Sequence, residues 1–530
     1  MSERDTLIRG GVVADGYGGE PVRADVLIEA GRIASVETPG VIPAGDRVIV
    51  DATGLVVAPG FIDVHSHADN APLLAEDDTT KIIQGVTTEV VGNCGFSLAP
   101  TAAESVESLT TFAQRIFPPI DFTWANWSEF TELTDSRGYV TNYAPLVGHG
   151  TLRIAVLGMA EATPDAGEVK AMGELLDSAL EGGAFGLSSG LVYPPAVYSD
   201  TAEIVELARH LGRKGLYTTH MRGEGDSLLS SIAETVRIGE EGGCRVHISH
   251  LKWTGKRNWG NMPTALSVIH DAAANGLSIT KDIYPYPAGS TMLTALLPPP
   301  FLAGGDEGVL ARLESPEQRR RLAIMMESGL PGWDSHQRAA GWDGILVSTT
   351  ASHRYEGTTI AELARALDLP PLDVLVRILR EEKLHASMVL FAMHEADVRT
   401  AFADDDTMVG SDGLPPGSGG KPHPRLFGTF PRILAEYVRK NEVVPLGEAI
   451  RRMTSLPAHV FRIPERGAVA KGLIADLVAF DPGTVDHECD YRNPVHEPTG
   501  MSWVMQGGRF VVDRQNYVGP RRGRRLTPAS

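Results

Sequence analysis

This chain of 530 residues has little cysteine: three, at Cys94, Cys244 and Cys489. Odd in number and widely spaced, they cannot form a disulfide framework, and they suit a reducing compartment or a thiol kept for chemistry. Long apolar runs are missing as well. None approaches the ~18 residues a membrane helix requires. The opening Met1-Ser2-Glu3-Arg4-Asp5 lacks the apolar stretch of a secretory signal. The expectation is a cytoplasmic protein with no membrane partner. Positive charge is also short: 48 Lys and Arg against 67 Asp and Glu give a net charge of −19. That balance argues against nucleic acid or an anionic membrane as partner, since both lean on a basic patch. The one basic cluster, Arg521-Arg522-Gly523-Arg524-Arg525, reads as a solvated chain end.

What remains is ordinary for a globular protein, with 42% hydrophobic and 22% charged residues. The length predicts about three structural units at ~100–200 residues each, and an α/β barrel can take ~250 residues as one. Both ends read as short strands. Thr6 to Val13, Asp25 to Val36 and Val48 to Val50 carry strand and turn signals, as do Ala475 to Asp481 and Val504 to Val512 around Gly507-Gly508. The middle alternates apolar runs with helical patterns. The runs are Gly60–Val64, Val86–Val91, Ala144–Val147, Ala184–Leu187, Leu216–Thr219, Arg245–Ile248, Ile279–Ile283 and Met408–Val409. Such alternation predicts a parallel sheet, most simply a (β/α)8 TIM-type barrel. Two further runs, Ile345–Val347 and Met388–Phe391, are either barrel strands or part of an insertion. The expected organisation is α/β. Residues 1–60 and 463–530 build a small β-sandwich domain, 61–462 the barrel, and about 288–342 an inserted lid.

The apolar runs end at residues suited to metal binding. The first stops at Asp63-Val64-His65-Ser66-His67, and alternate strand residues share a face, so both imidazoles converge. Others stop at Gly92-Asn93-Cys94, at His220, at His250 and at Gly410-Ser411-Asp412-Gly413. Strand C-terminal ends open on one rim of a barrel. Four imidazoles, one thiol and one carboxylate therefore gather there, a set that favours Zn²⁺ over Mg²⁺ or Ca²⁺. His149, at a strand end in Gly148-His149-Gly150, is a further candidate for contact with the site. His247 faces differently from His250 and reads as structural; Cys244 and Cys489 read as small packed residues.

These residues resemble the amidohydrolase superfamily, and within it the N-acyl-D-amino-acid deacylases. The resemblance rests on Gly92-Asn93-Cys94-Gly95, Ser188 to Pro195, Thr219-His220-Met221-Arg222, Ser249-His250-Leu251-Lys252 and Asp282-Ile283-Tyr284-Pro285-Tyr286. Gly289-Ser290-Thr291, Gly410 to Gly413, His423 to Phe430 and Met453 to Ala458 extend it over nearly the whole chain. It implies a tightly held zinc on Cys94, His220 and His250, and a second, weaker metal position on His65 and His67 with Asp412. No Lys stands at the fourth strand in Phe185-Gly186-Leu187-Ser188-Ser189, where many relatives bridge two metals with one, and Cys94 fits as its replacement. The implied activity is zinc-dependent hydrolysis of N-acyl-D-amino acids to a carboxylate and a free D-amino acid. Metal-bound hydroxide would attack, with Asp412 as general base and then acid. Lys252, Tyr284, Ser290 and Arg425 would hold the substrate carboxylate, and Tyr193 joins them as a substrate-binding residue. Selectivity for D over L enters through the resemblance alone. The alternatives are the same chemistry on another N-acyl amino acid or dipeptide-like amide, and a non-catalytic barrel scaffold. A scaffold should have lost His65, His67, Cys94 or Asp412. A serine hydrolase would need a Gly-x-Ser-x-Gly elbow, which Gly410-Ser411-Asp412-Gly413 lacks. The partner expected is a small molecule, with a homo-oligomer left open. Two segments depart from the family pattern: Leu414 to Lys421 is longer and rich in Gly, and Gly223 stands where an acid is usual, with Glu224 beside it.

Overall fold

The computed structural model describes residues 5–330, 332–414 and 420–529. The apolar runs of the middle form eight strands: β1 (Phe61–Asp63), β2 (Val86–Val91), β3 (Asn142–Pro145), β4 (Leu187–Gly190), β5 (Leu216–His220), β6 (Arg245–Ile248), β7 (Ile279–Ile283) and β8 (Thr407–Val409). Each pairs with its neighbours in parallel, β3 reaching β4 through Val147–Gly148, which continues it. Strand β8 returns to β1. Val64 N–H donates to the Val409 carbonyl at 3.5 Å, and Asp412 N–H donates to the His65 carbonyl at 2.7 Å. The sheet therefore closes into a barrel. Covered on both faces, its strands read as apolar runs rather than as an alternation.

Helices between the strands cover the barrel. Ala166–Glu181 starts at a capping box: the Asp165 carboxylate accepts from the Gly167 and Glu168 N–H groups, and Glu168 reaches back to the Asp165 N–H. Its buried face, Met172, Leu176 and Ala179, recurs at intervals of three and four and packs inward.

The two chain ends build two packed sheets. One is antiparallel except at its edge, with strand order 32–37, 25–29, 6–9, 48–51. The other joins both ends: Leu477–Phe480 lies antiparallel to Val56–Pro59, with Ala479 opposite Val57. Ile8, Val26 and Ile28 from the first sheet meet Val57, Leu477 and Trp503 from the second in one core. The basic tail is docked rather than solvated. Arg521 Nε donates to Asp77 at 2.7 Å, Arg525 Nη2 to Asp135 at 2.9 Å, and the Arg524 carbonyl accepts from Tyr143 N–H at 2.9 Å.

Between β7 and β8 the chain builds a further unit, longer than the 288–342 expected. Gly289–Met292, Ala386–Leu390, Ile345–Thr350 and Thr358–Thr359 pair antiparallel in that order. Leu293, Phe301, Leu313, Leu322, Val347, Leu379 and Met388 form a separate core beneath this sheet. The two extra apolar runs are thus strands of the insertion, which extends to about Ala392. A buried strand shows the same apolar run in either setting, so pattern alone could not assign them. Among the described residues no helix is long and apolar enough to cross a membrane.

A buried ionic cluster lies where the barrel closes. Lys81 Nζ stands 3.1 Å from Asp63 Oδ2 and 3.4 Å from Glu89 Oε2. Asp63 Oδ1 accepts from Ser411 N–H at 2.8 Å and His65 N–H at 3.2 Å. Burial pushes the Asp63 carboxyl upward and the Lys81 ammonium pulls it back. Removing the cation leaves two carboxylates facing each other in the interior. Lys81→Met is expected to cost ~3–5 kcal/mol of stability, read as a lower midpoint in chemical denaturation. A midpoint equal to the parent's would refute the role given to this cluster.

Candidate metal centre

The strand-end residues meet at the C-terminal mouth of the barrel, and all of them are buried. Cys94 Sγ lies 3.8 Å from His220 Nδ1, 3.5 Å from His250 Nε2 and 3.2 Å from His65 Nε2. Asp412 Oδ1 lies 3.2 Å from His67 Nε2 and 3.6 Å from His65 Nε2. Two donor groups result, Cys94 with His220 and His250, and His65 with His67, Cys94 and Asp412; within each, the ligand atoms lie within 4.8 Å of one another. Cys94 belongs to both, whereas sequence reading gave it to the first alone.

Local backbone geometry brings these side chains together. Cys94, His250 and Asp412 all adopt left-handed conformations, with φ of 54°, 37° and 49°. Side-chain-bearing residues rarely do so, and such strain collects at functional sites. Each residue follows the end of its strand, where the chain turns sharply and re-aims the side chain across the mouth. The turn at Cys94 lies so close to β4 that a Cβ at Gly190 would strike the Cys94 carbonyl.

Zinc fits this arrangement. Bond lengths of ~2.0–2.1 Å to nitrogen and ~2.3 Å to sulfur, set tetrahedrally, put N and S about 3.5 Å apart. The thiol is also prepared as a ligand. Burial opposes its ionisation, but the neighbouring His65 charge and hydrogen bonds from His220, His250 and His65 hold its pKa well below the usual value. Cys244 and Cys489, buried without such partners, are pushed up to about 11.

Two carboxylates that were given no role from the sequence orient the donor histidines. Glu224 Oε1 stands 3.1 Å from His250 Nδ1 and accepts from Lys252 Nζ at 2.6 Å; its Oε2 is 3.6 Å from His220 Nε2. Burial would raise its pKa, but the His220, Lys252 and His250 charges hold it well below the ordinary carboxylate range. Asp282 binds His247 Nε2 at 2.8 Å and accepts from the His250 N–H at 2.8 Å, and its Oδ2 is 3.5 Å from His65 Nδ1. A carboxylate on the far nitrogen of a ligand histidine fixes its ring and tautomer. The signal was present: Asp282 ends a strand, and Glu224 follows His220 by one helical turn's worth of residues. His149 lies elsewhere, bonded to Glu203 at 2.7 Å. Gly223, the departure noted above, has a physical reason. A Cβ there would meet Ser227 Oγ and Asp334 Oδ2, and the Asp334 carboxylate, from the inserted unit, binds Gly225 N–H at 2.8 Å and Ser227 Oγ at 2.7 Å.

The residues named for the substrate line the same mouth or stand behind it. Arg425 Nη1 is 2.8 Å from Asp412 Oδ2, and its Nη2 donates to the Ser290 carbonyl at 3.2 Å. His423 sets its position: Nε2 bonds to the Ala288 carbonyl at 2.9 Å and Nδ1 accepts from Arg425 N–H at 3.0 Å. Those two bonds require neutral imidazole, and burial beside Arg425 keeps the ring so, well below its usual pKa. The Tyr284 ring lies under the Arg425 guanidinium at 4.7 Å and the Lys252 ammonium at 5.7 Å. Tyr193 bonds to Thr291 at 3.0 Å and sets its ring against His220. Among the described residues neither Tyr284 Oη nor Arg425 Nε, both buried, has a hydrogen-bond partner. Residues 415–419 of the Gly-rich segment lie outside the described residues; Leu414, before them, lines the mouth.

The model of the amidohydrolase family matches residues 48–280 and 322–512. A D-aminoacylase from Alcaligenes xylosoxydans xylosoxydans is 36% identical, over 98% of this chain and 97% of its own. An N-acyl-D-aspartate deacylase from the same organism is 34% identical, over 99% and 96%. The solved N-acyl-D-glutamate deacylase from Bordetella bronchiseptica, complexed with zinc and a phosphonate mimic of the tetrahedral intermediate, superposes with a TM-score of 0.84 at 34% identity, covering 100% of both chains.

Two measurements of bound metal test the geometry. Cys94→Ala is expected to empty both donor groups, since the thiolate serves each, and to leave less than one tenth of the parent's zinc after dialysis against weak chelator. Glu224→Gln is expected to lower zinc affinity by ~10–100-fold, read by competition with a coloured chelator. An unchanged affinity in either variant would remove that residue from the centre.

Proposed function

The chain belongs to the amidohydrolase family, and we propose from this that it is a zinc-dependent deacylase that hydrolyses the amide bond of N-acyl-D-amino acids. One observation carries the reading. At a single mouth a zinc-type donor set, an ionised Asp412 and the unpartnered Tyr284 Oη come together, and Arg425, whose buried Nε is likewise unpartnered among the described residues, pairs with Asp412 beside it. D-aminoacylase, N-acyl-D-aspartate deacylase and N-acyl-D-glutamate deacylase, each alike over nearly full length, support the substrate class and the metal.

Cys94, His220 and His250 are the residues that would hold the tight zinc, with His65, His67, Cys94 and Asp412 offering a second, weaker position. Zinc so held supplies Lewis acidity, acidifying water and polarising the amide carbonyl. Asp412 does the proton work. Burial alone would raise its pKa, but Arg425, the His67 hydrogen bond and the charges of His65 and His250 hold it ionised. Its Oδ1 takes the proton from the attacking water and returns it to the leaving nitrogen, without which an amine cannot depart. Arg425 binds the substrate α-carboxylate, a task its planar fork suits. Tyr284 Oη and Lys252 Nζ complete that subsite, and Ser290 and Tyr193 border it. Glu224 and Asp282 keep the histidine rings in register throughout. Three unpaired cysteines support a reducing, cytoplasmic setting.

Treatment with a strong chelator is expected to abolish turnover of N-acetyl-D-amino acids, with zinc restoring it; full activity in metal-free protein would end the metal assignment. Asp412→Asn is expected to retain the tight zinc while kcat falls by ~10²–10⁴. For Arg425→Ala, the loss in kcat/KM should be larger for free acids than for their methyl esters. Equal losses would exclude the carboxylate role.

A further inference from the structure

The relatives of similar identity act on different side chains, so likeness leaves the side chain of this protein's substrate open. The wall of the mouth addresses it. Beside the candidate donors the mouth carries apolar side chains, Phe96, Ile116, Met292, Leu390, Met393 and Leu414, of which Phe96, Ile116 and Met292 pack in one cluster with Cys94. This wall is assembled from three places. Phe96 and Ile116 follow β2, Met292 and Leu390 come from the sheet of the inserted unit with Met393 just beyond it, and Leu414 follows β8. Two hydroxyls that line the mouth are already engaged, Thr291 with Tyr193 and Thr254 with the Glu224 carbonyl at 3.1 Å.

Counting cations narrows the choice. Among the described lining residues Lys252 is the one Lys or Arg, and its ammonium is 2.6 Å from Glu224. Arg425 stands beside the mouth, paired with Asp412. The substrate's own α-carboxylate takes this positive charge. His336, from the inserted unit, also faces the mouth, and burial pushes its pKa down to about 4, so it is neutral near pH 7. A second carboxylate, on an aspartyl or glutamyl side chain, would meet apolar carbon and the Glu224 and Asp412 carboxylates that line the same mouth. A buried charge without a partner is strongly disfavoured.

Resting on the deacylase reading, we propose that this enzyme is selective for N-acyl-D-amino acids with neutral, apolar side chains and discriminates against acidic ones, the apolar wall and the absence of a spare cation setting the choice.

The test uses the zinc-loaded full chain and four substrates: N-acetyl-D-leucine, N-acetyl-D-methionine, N-acetyl-D-glutamine and N-acetyl-D-glutamate. Glutamine and glutamate are nearly isosteric, so their ratio isolates the charge. Leucine and methionine are expected to lead, with kcat/KM for glutamate at least ~100-fold below them and at least tenfold below glutamine. Turnover of glutamate equal to or faster than glutamine would overturn the proposal while leaving the deacylase reading intact. Absence of turnover on all four would overturn both. Met292→Lys, which adds a cation to the wall, is expected to narrow the glutamine-to-glutamate ratio at least fivefold. An active variant with the parent's ratio would count against this wall as the selector.

Discussion

The closure of the barrel between its last and first strands is the constraint on which the site depends. Asp63 accepts hydrogen bonds from both His65 N–H and Ser411 N–H, so one buried carboxylate holds the two strand ends in a single register. Lys81 makes that carboxylate tolerable in the interior. From this seam His65 and His67 emerge on one side and Asp412 on the other, and Asp412 N–H is tied back to the His65 carbonyl. A slip here would separate the Asp412 carboxylate from His65 and His67, which it now faces.

The metal centre is a second case of charge managed at short range. The molecule carries a net charge of −19, yet the mouth and the residues directly behind it concentrate Arg425, Lys252 and four imidazoles. Each is answered locally: Arg425 by Asp412, Lys252 by Glu224, His65 by Asp282. In a low-dielectric interior such neighbours govern ionisation more than the overall sum does. The same local accounting separates Cys94 from the other two cysteines, which are equally buried but whose thiols no imidazole stabilises by charge or hydrogen bond.

Much of the fold was legible because buried parallel strands write themselves as apolar runs, and all eight runs assigned to the barrel lie in it. That the candidate donors gather was legible for a related reason: barrel topology places every strand end on one rim. What pattern could not separate was a barrel strand from an equally buried strand of the insertion, as with Ile345–Val347 and Met388–Phe391. Nor could it see that the basic tail docks against Asp77 and Asp135, since those partners are hundreds of residues away. Glu224 and Asp282 had strand-end or near-ligand positions, but a carboxylate shows its partner only when the rings are in place.

By itself, then, the sequence determined the barrel, the joined β-rich ends and the identity of the donor atoms, because these follow from hydrophobic period and from topology. Tertiary structure alone decided how the donors are shared. Cys94, His250 and Asp412 leave their strands in left-handed turns that local pattern does not encode. Those turns are held by hydrogen bonds from distant strands, and they place one thiolate between two sets of histidines. The apolar wall packed beside that thiolate was likewise decided in three dimensions, by bringing segments that follow β2 and β8 and strands of the inserted unit around one mouth.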